Sequence, residues 1–264
     1  IRGKKRLRVP AAVCGVTLCA AVALTVSTFR GGAMAAAVLD VGQGESVLLR
    51  CGDSWTLVDC GGDSQTNAGD IAADYIRSMG GQKLDLLVIT HFHDDHANGV
   101  PQLLERVPVD AIALPAVTED SPIRQEIADI AKEKNIPMEE LRRDRTVELD
   151  GGVLRLFAPL GAGETNEEGL SVLATSGDFD VLITGDMGGD VEQLLLEHTQ
   201  LPHVEVMVAG HHGSKYSTSP ELLAAIRPET AVISVGADNR YGHPAQETLE
   251  RLSAAGTELY RTDL

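Results

Sequence analysis

Three histidines and two aspartates occupy six consecutive positions, His91-Phe92-His93-Asp94-Asp95-His96, in a chain with only eight histidines among 264 residues. Imidazole nitrogen and carboxylate oxygen are donors that suit zinc, manganese or iron, and their short spacing lets one loop face two neighbouring ions. Such ions support hydrolysis, because a cation both activates water and offsets charge on the group attacked. A polar surface loop with incidental histidines is the competing reading. The HxHxDH spacing, directly after the apolar run LDLLVI, argues against it.

A metal loop needs partners from elsewhere in the chain. The apolar run DFDVLI ends in Thr184-Gly185-Asp186, where glycine allows close backbone approach and Asp186 can place a carboxylate between two cations. The run VEVMVAG is followed by His211 and His212. Three polar clusters thus end three apolar strands, which is where α/β proteins hold their sites.

The elements that position these clusters form two similar series. AVLDV, SVLLR and WTLVD read as strands of an antiparallel meander, each bounded by Gly, Asp or Ser. Ala68 to Met79 carries Ile71, Tyr75, Ile76 and Met79 at helical spacing and stops at Gly80 and Gly81. LDLLVI is then a strand, GVPQLLERV a helix, VDAIALP a strand and Pro122 to Asn135 a helix. The second series has strands in TVELD, VLRLFAP, LSVLATS and DFDVLITGD and a helix from Asp190 to His198. It continues with strand VEVMVAG, a helix near Pro220 to Ile226, strand TAVISVG, a helix from Pro244 to Ala255 and strand ELYRTD. A meander followed by alternating strand and helix, twice over, predicts two facing sheets with helices outside, an αββα sandwich.

The N-terminal segment has a different character. IRGKKRLR carries five positive charges, and Val9 to Phe29 follows without any charge. At ~1.5 Å per residue that stretch spans roughly 30 Å, a bilayer's hydrocarbon thickness. The expectation is one transmembrane helix within residues 1–30, a linker over 31–37 and a domain over 38–264. The basic flank puts the N-terminal side in the cytoplasm and the domain on the extracytoplasmic side of the cell membrane. A cleaved signal peptide is the rival reading and exports the domain equally. The first residue is not Met, so the sequence reads as an excerpt of a longer chain.

Beyond residue 30 there remain 16 Lys and Arg against 39 Asp and Glu, a formal charge of −23. That surface repels polyanions, so any nucleic-acid contact must be local and assisted by bound cations. Cys51 and Cys60 flank a hairpin whose register sets Cys60 opposite a residue near Ser46, so no bridge between them is expected.

LDVGQGES, DCGG, THFHDDHANG, TGD, GHHGSKYSTS and NRYGHPAQETLERL, in this order, resemble the metallo-β-lactamase superfamily. More narrowly they resemble the C-terminal domains of the ComEC family of competence DNA-channel proteins, from about Val38 to Leu264. The resemblance implies that His91 and His93 hold one metal, Asp95 and His96 a second, and Asp186 bridges them. It implies His211 as the histidine ligand of the second metal, with His212 either a substrate group or the ligand instead. His243, in YGHP, would bind phosphate or donate a proton. Many superfamily members supply a further histidine before the bridging aspartate, but none occurs from Ala97 to Asp186, and ComEC-like domains share that lack, with Asn near Asn166. One or two divalent ions, Zn2+ or Mn2+, are therefore expected.

Other residues carry two readings each. Asp94 is an outer acceptor or a solvated loop residue; Asp40 and Asp59 orient imidazoles or cap turns. Ser214 and Lys215 bind a phosphate oxygen or merely face solvent. Gln43 and Glu45 line the site or belong to a hairpin turn, and His198 and His203 read as surface residues. The resulting expectation is a phosphodiesterase or nuclease acting on DNA, single-stranded or duplex, at the outer face of a membrane channel. Its partners are the channel portion of the same longer chain and other competence DNA-uptake proteins. Asp95 or Asp186 would orient the attacking water, and His243 or His212 would protonate the leaving oxygen. The rivals are an esterase for phosphocholine or another small phosphodiester, for which 3% aromatic residues offer little of a cage, and a non-catalytic channel module.

Overall fold

The computed structural model describes residues 34–63, 66–117, 121–163 and 165–264. Two mixed sheets face each other. One holds β1 (Met34–Val38), β2 (Val47–Cys51), β3 (Ser54–Val58), β4 (Leu86–Val88), β5 (Ile112–Pro115) and β6 (Met138–Leu141), in that spatial order. The other holds β7 (Arg145–Leu149), β8 (Gly152–Phe157), β9 (Ser171–Ser176), β10 (Phe179–Ile183), β11 (Val206–Val208), β12 (Thr230–Ile233) and β13 (Glu258–Arg261), also in chain order across the sheet.

Each sheet begins as an antiparallel meander and continues parallel, β3 to β6 in the first and β10 to β13 in the second. The alternation of side chains along each strand explains the layers. In β10, Val181 and Ile183 join the core between the sheets while Leu182 joins the core under the outer helices. Leu86 and Val88 likewise point between the sheets, and Leu87 and Ile89 outward. Three apolar layers result, and helices 68–78, 100–106 and 122–134 cover one outer face. Helices 189–198, 220–226 and 246–255 cover the other. Each buried leucine or isoleucine in them stabilises the fold by roughly 2 kcal/mol.

The αββα arrangement is as the sequence predicts, with local differences. β1 starts at Met34, inside the expected linker, and ends at Val38, short of the expected strand end at Val41. Its Met-Ala-Ala-Ala-Val sequence has little strand propensity; pairing of all five residues with β2 decides its state. β6, with the exposed Glu139 and Glu140, is a further strand that hydrophobic patterning does not reveal. Cys51 and Cys60 are both free, and they lie in different apolar layers, on opposite faces of one sheet. Among the described residues no helix is long and apolar enough to cross a membrane. The expected membrane helix and its basic flank lie outside the described residues.

Candidate metal centre

The polar clusters meet where the parallel strands of both sheets end. Asp59 follows β3, Thr90 and the His91 cluster follow β4, Asp186 follows β10, the turn Gly210–Gly213 follows β11, and Ser234 follows β12. Backbone hydrogen bonds tie these ends together: Leu170 N donates to Thr90 O at 2.9 Å across the two sheets, and His211 N donates to Gly185 O at 3.0 Å between the ends of the adjacent strands β10 and β11. A Cβ on Gly61 would lie 2.2 Å from His96 N, so only glycine admits the metal loop this close to the end of β3.

Asp186 is 3% exposed and presents its two oxygens to two different sets of side chains. Oδ1 lies 3.1 Å from His96 Nε2 and 3.8 Å from His212 Nε2. Oδ2 lies 3.6 Å from His211 Nε2 and 3.8 Å from His91 Nε2. Asp95 Oδ2 completes the first set, 3.4 Å from His212 Nε2. Donor atoms of Asp95, His96, Asp186 and His212 all lie within 4.8 Å of one another.

Outer partners set the tautomers. His96 Nδ1 is 2.7 Å from Asp59 Oδ2, and His212 Nδ1 is 2.9 Å from the carbonyl of Ser234. Both partners only accept, so each Nδ1 carries the proton and each neutral ring has its lone pair on Nε2. Those two lone pairs face each other at 3.2 Å beside a carboxylate. His91 is arranged the same way: Thr90 donates its hydroxyl to Asp59 at 2.6 Å and accepts from His91 Nδ1 at 3.1 Å. His91 Nε2 and Asp186 Oδ1 are buried without a hydrogen-bond partner. Facing lone pairs and orphaned buried acceptors are costly unless a proton or a cation sits among them, so this donor set fits a divalent metal.

The charges of the side chains alone express the same strain. Burial pushes Asp186 and Asp95 upward, but the charges on His96 and His212 outweigh it and hold both carboxyls well below their usual range. Burial pushes His96 down, and the neighbouring Asp186 and Asp59 outweigh it, raising its pKa well above 6.5. His91, buried beside His96, is held far below its ordinary range and is neutral. Glu45, 1% exposed and near Asp59 and His96, is pushed up to about 8 by burial.

The chain takes rare conformations to build this centre. Asp59, His211 and His212 all sit in the left-handed region, at φ 57°, 51° and 54°. Two consecutive non-glycine residues there are strained, and the strain turns the two adjacent imidazoles to opposite oxygens of Asp186. Buried Glu192 holds the following loop by accepting Thr218 N at 2.6 Å and Ser219 N at 2.7 Å.

Several expected placements differ. His212, not His211, lies in the tight four-residue group, because its ring is the one anchored on Ser234. With both nitrogens so committed it is poorly placed as a proton donor. His211 lies instead on the side of His91, where the stretch 97–186 supplies no histidine. His93 is exposed, its ring 4.9 Å from that of His91. His243 lies at the mouth, its ring 5.7 Å from that of His211. Burial and the nearby His211 and His212 lower its pKa, so near pH 7 it is neutral rather than a ready acid. Ser214 is buried and accepts Tyr216 N, and Lys215 is exposed with its ammonium 5.0 Å from the Tyr216 ring.

Of the residues with two sequence readings, Asp59 is an orienting group for two imidazoles, whereas Asp40 closes its own turn by accepting Gly42 N. Asp94 is exposed. Gln43 accepts Gly236 N and so ties the loop before β2 to the end of β12. His198 and His203 pair with Asp144 and Glu205, away from the centre. Thr90 and Ser234 escape sequence reasoning, since a hydroxyl and a main-chain carbonyl carry no motif. Asn166 has a buried, unpartnered Oδ1.

Known proteins share this architecture. The metallo-beta-lactamase superfamily model matches residues 39–237. The chain is 28% identical over 244 residues to ComE operon protein 3 of Bacillus subtilis (strain 168), covering 86% of this chain and 31% of that protein. It is 30% identical over 233 residues to Competence protein ComA of Neisseria gonorrhoeae, covering 87% of this chain and 31% of that protein. It thus spans about a third of the length of these curated relatives. The metallo-beta-lactamase fold protein YhfI from Bacillus subtilis superposes with a TM-score of 0.61 at 13% identity, over 86% of this chain and 95% of that one. A family model that spans most of the described fold, together with that superposition, means that the chain belongs to the metallo-beta-lactamase superfamily.

Proposed function

We propose that this chain is the metal-dependent phosphodiesterase, acting as a nuclease, of a membrane DNA-uptake channel, with its site on the extracytoplasmic side. The observation that carries the reading is the pair of Nε2 atoms of His96 and His212. Their outer nitrogens are pinned as donors, and their lone pairs converge beside Asp186. Asp95, His96, His212 and Asp186 Oδ1 would hold one divalent ion, Zn2+ or Mn2+. His91, His93, His211 and Asp186 Oδ2 would hold a second. Bound there, the ions supply Lewis acidity that makes water nucleophilic near neutral pH and offsets charge on phosphoryl oxygens.

The chain's own groups do the rest. Asp95, 26% exposed, reaches solvent while His96, His212 and Asp186 beside it do not, and so orients the entering water. His243, neutral at the mouth, donates a ring N–H to a phosphate oxygen and protonates the leaving group only as acidity rises. Arg240 and Lys215 offer local positive charge on an otherwise acidic surface. Kinship with a competence protein supports DNA as the substrate and competence DNA-uptake proteins, with a membrane channel portion, as the partners.

The test is incubation of the purified chain with single-stranded and duplex DNA in manganese, zinc or EDTA, beside Asp95→Ala. The expected outcome is nucleotide release that needs metal and is lost in the variant. Equal traces of release from both proteins in every condition would sink the nuclease reading.

A further inference from the structure

Tyr241 is 53% exposed, large and aromatic, on a surface with few aromatic residues. It is the outermost member of a file of rings leading to the metal centre. Its ring lies 6.0 Å from that of His243, nearly parallel at 15°, and the His243 ring lies 5.7 Å from that of His211, whose Nε2 is 3.6 Å from Asp186. Arg240 lies 5.0 Å from the centre of the Tyr241 ring and donates to its hydroxyl at 2.9 Å.

Resting on the phosphodiesterase reading, we propose that Tyr241, backed by Arg240, is a base-stacking subsite that holds an unpaired nucleobase next to the scissile phosphate. At 53% exposure part of the Tyr241 ring stays open beside the guanidinium, and an aromatic ring with an arginine at its edge is the pairing that grips single strands, since every base has a stacking face and every nucleotide an anion. A duplex hides its base faces within the stack, so this subsite selects single-stranded polynucleotide. The same geometry disfavours a quaternary ammonium ligand. Lys215 and Arg240 lie 5.0 Å from the ring centres of Tyr216 and Tyr241, and a second cation would be repelled by them.

The experiment measures kcat and KM of the full chain, Tyr241→Ala and Tyr241→Trp in manganese. The two substrates are a short oligothymidylate and an abasic oligomer of equal length. Expected is a KM for the oligothymidylate raised about tenfold in Tyr241→Ala and restored in Tyr241→Trp, with kcat unchanged. The abasic oligomer should bind all three proteins equally weakly. An equal KM shift on both substrates, or none on the oligothymidylate, overturns the subsite. If the wild-type chain cleaves neither, the nuclease reading fails instead, and anisotropy titration of the labelled oligomers then judges the subsite. A thymidine-dependent affinity lost in Tyr241→Ala supports it, and no base dependence overturns it.

Discussion

The two oxygens of Asp186 look into differently made surroundings. On the Oδ1 side, His96 and His212 are buried, each pinned through Nδ1, and Asp95 closes the group. On the Oδ2 side, His91 is buried and pinned through Thr90, but the side chain of His211 is 31% exposed and His93 is exposed. The donor types are similar on both sides. The difference lies in how many outer contacts hold each imidazole, and such contacts set ligand orientation and basicity. On the proposed two-ion reading, a prearranged Oδ1 side and a looser Oδ2 side would hold the two ions with unequal affinities.

Four experiments break or sharpen this contrast. Asp186→Ala removes the oxygens of both sides and should lower metal-dependent phosphodiester hydrolysis roughly a thousandfold, read as initial rates at saturating manganese. Retained activity would mean that the two sides work without a shared carboxylate. Asp59→Asn leaves the core intact but weakens the hold on His96 and, through Thr90, on His91. Metal affinity should fall about 10- to 100-fold by calorimetric titration.

His212→Ala and His211→Ala compare the sides directly by metal content per chain after dialysis. His212→Ala should lose the tightly held ion, and His211→Ala only the exchangeable one; the reverse result would invert the contrast. The smallest effect concerns protons. His96 has a raised pKa, so its protonated form stabilises the metal-free fold fully below about 6.5, and that contribution is lost as pH rises through its folded value. A cation replaces the proton, so metal affinity should increase with pH over this range and binding should release protons. Calorimetry in buffers of different ionisation enthalpy reads that release, and a heat independent of buffer would contradict it.

Much of the centre is legible in the amino-acid sequence. The apolar runs that end in His91-Phe92-His93-Asp94-Asp95-His96, Thr184-Gly185-Asp186 and Gly210-His211-His212 locate the three clusters, since strand periodicity and donor chemistry are local properties. β1 is harder to place, because its alanines take strand form only through pairing with β2. Asp59 carries two equally good local readings. The choice between them depends on Thr90 and His96, which are 31 and 37 residues away in the chain.

By itself, then, the sequence determined the layered α/β class, the donor types and the strand ends that carry them, because each follows from residue spacing within one segment. Only the tertiary structure decided that His212 and not His211 joins Asp95 and His96, and that Tyr241 stands in line with the centre. Adjacent residues in a left-handed turn point to different places, and which one meets a distant carboxylate is set by the strands on either side. Likewise, the neighbours of an exposed tyrosine are fixed by how its loop lies against the rest of the fold.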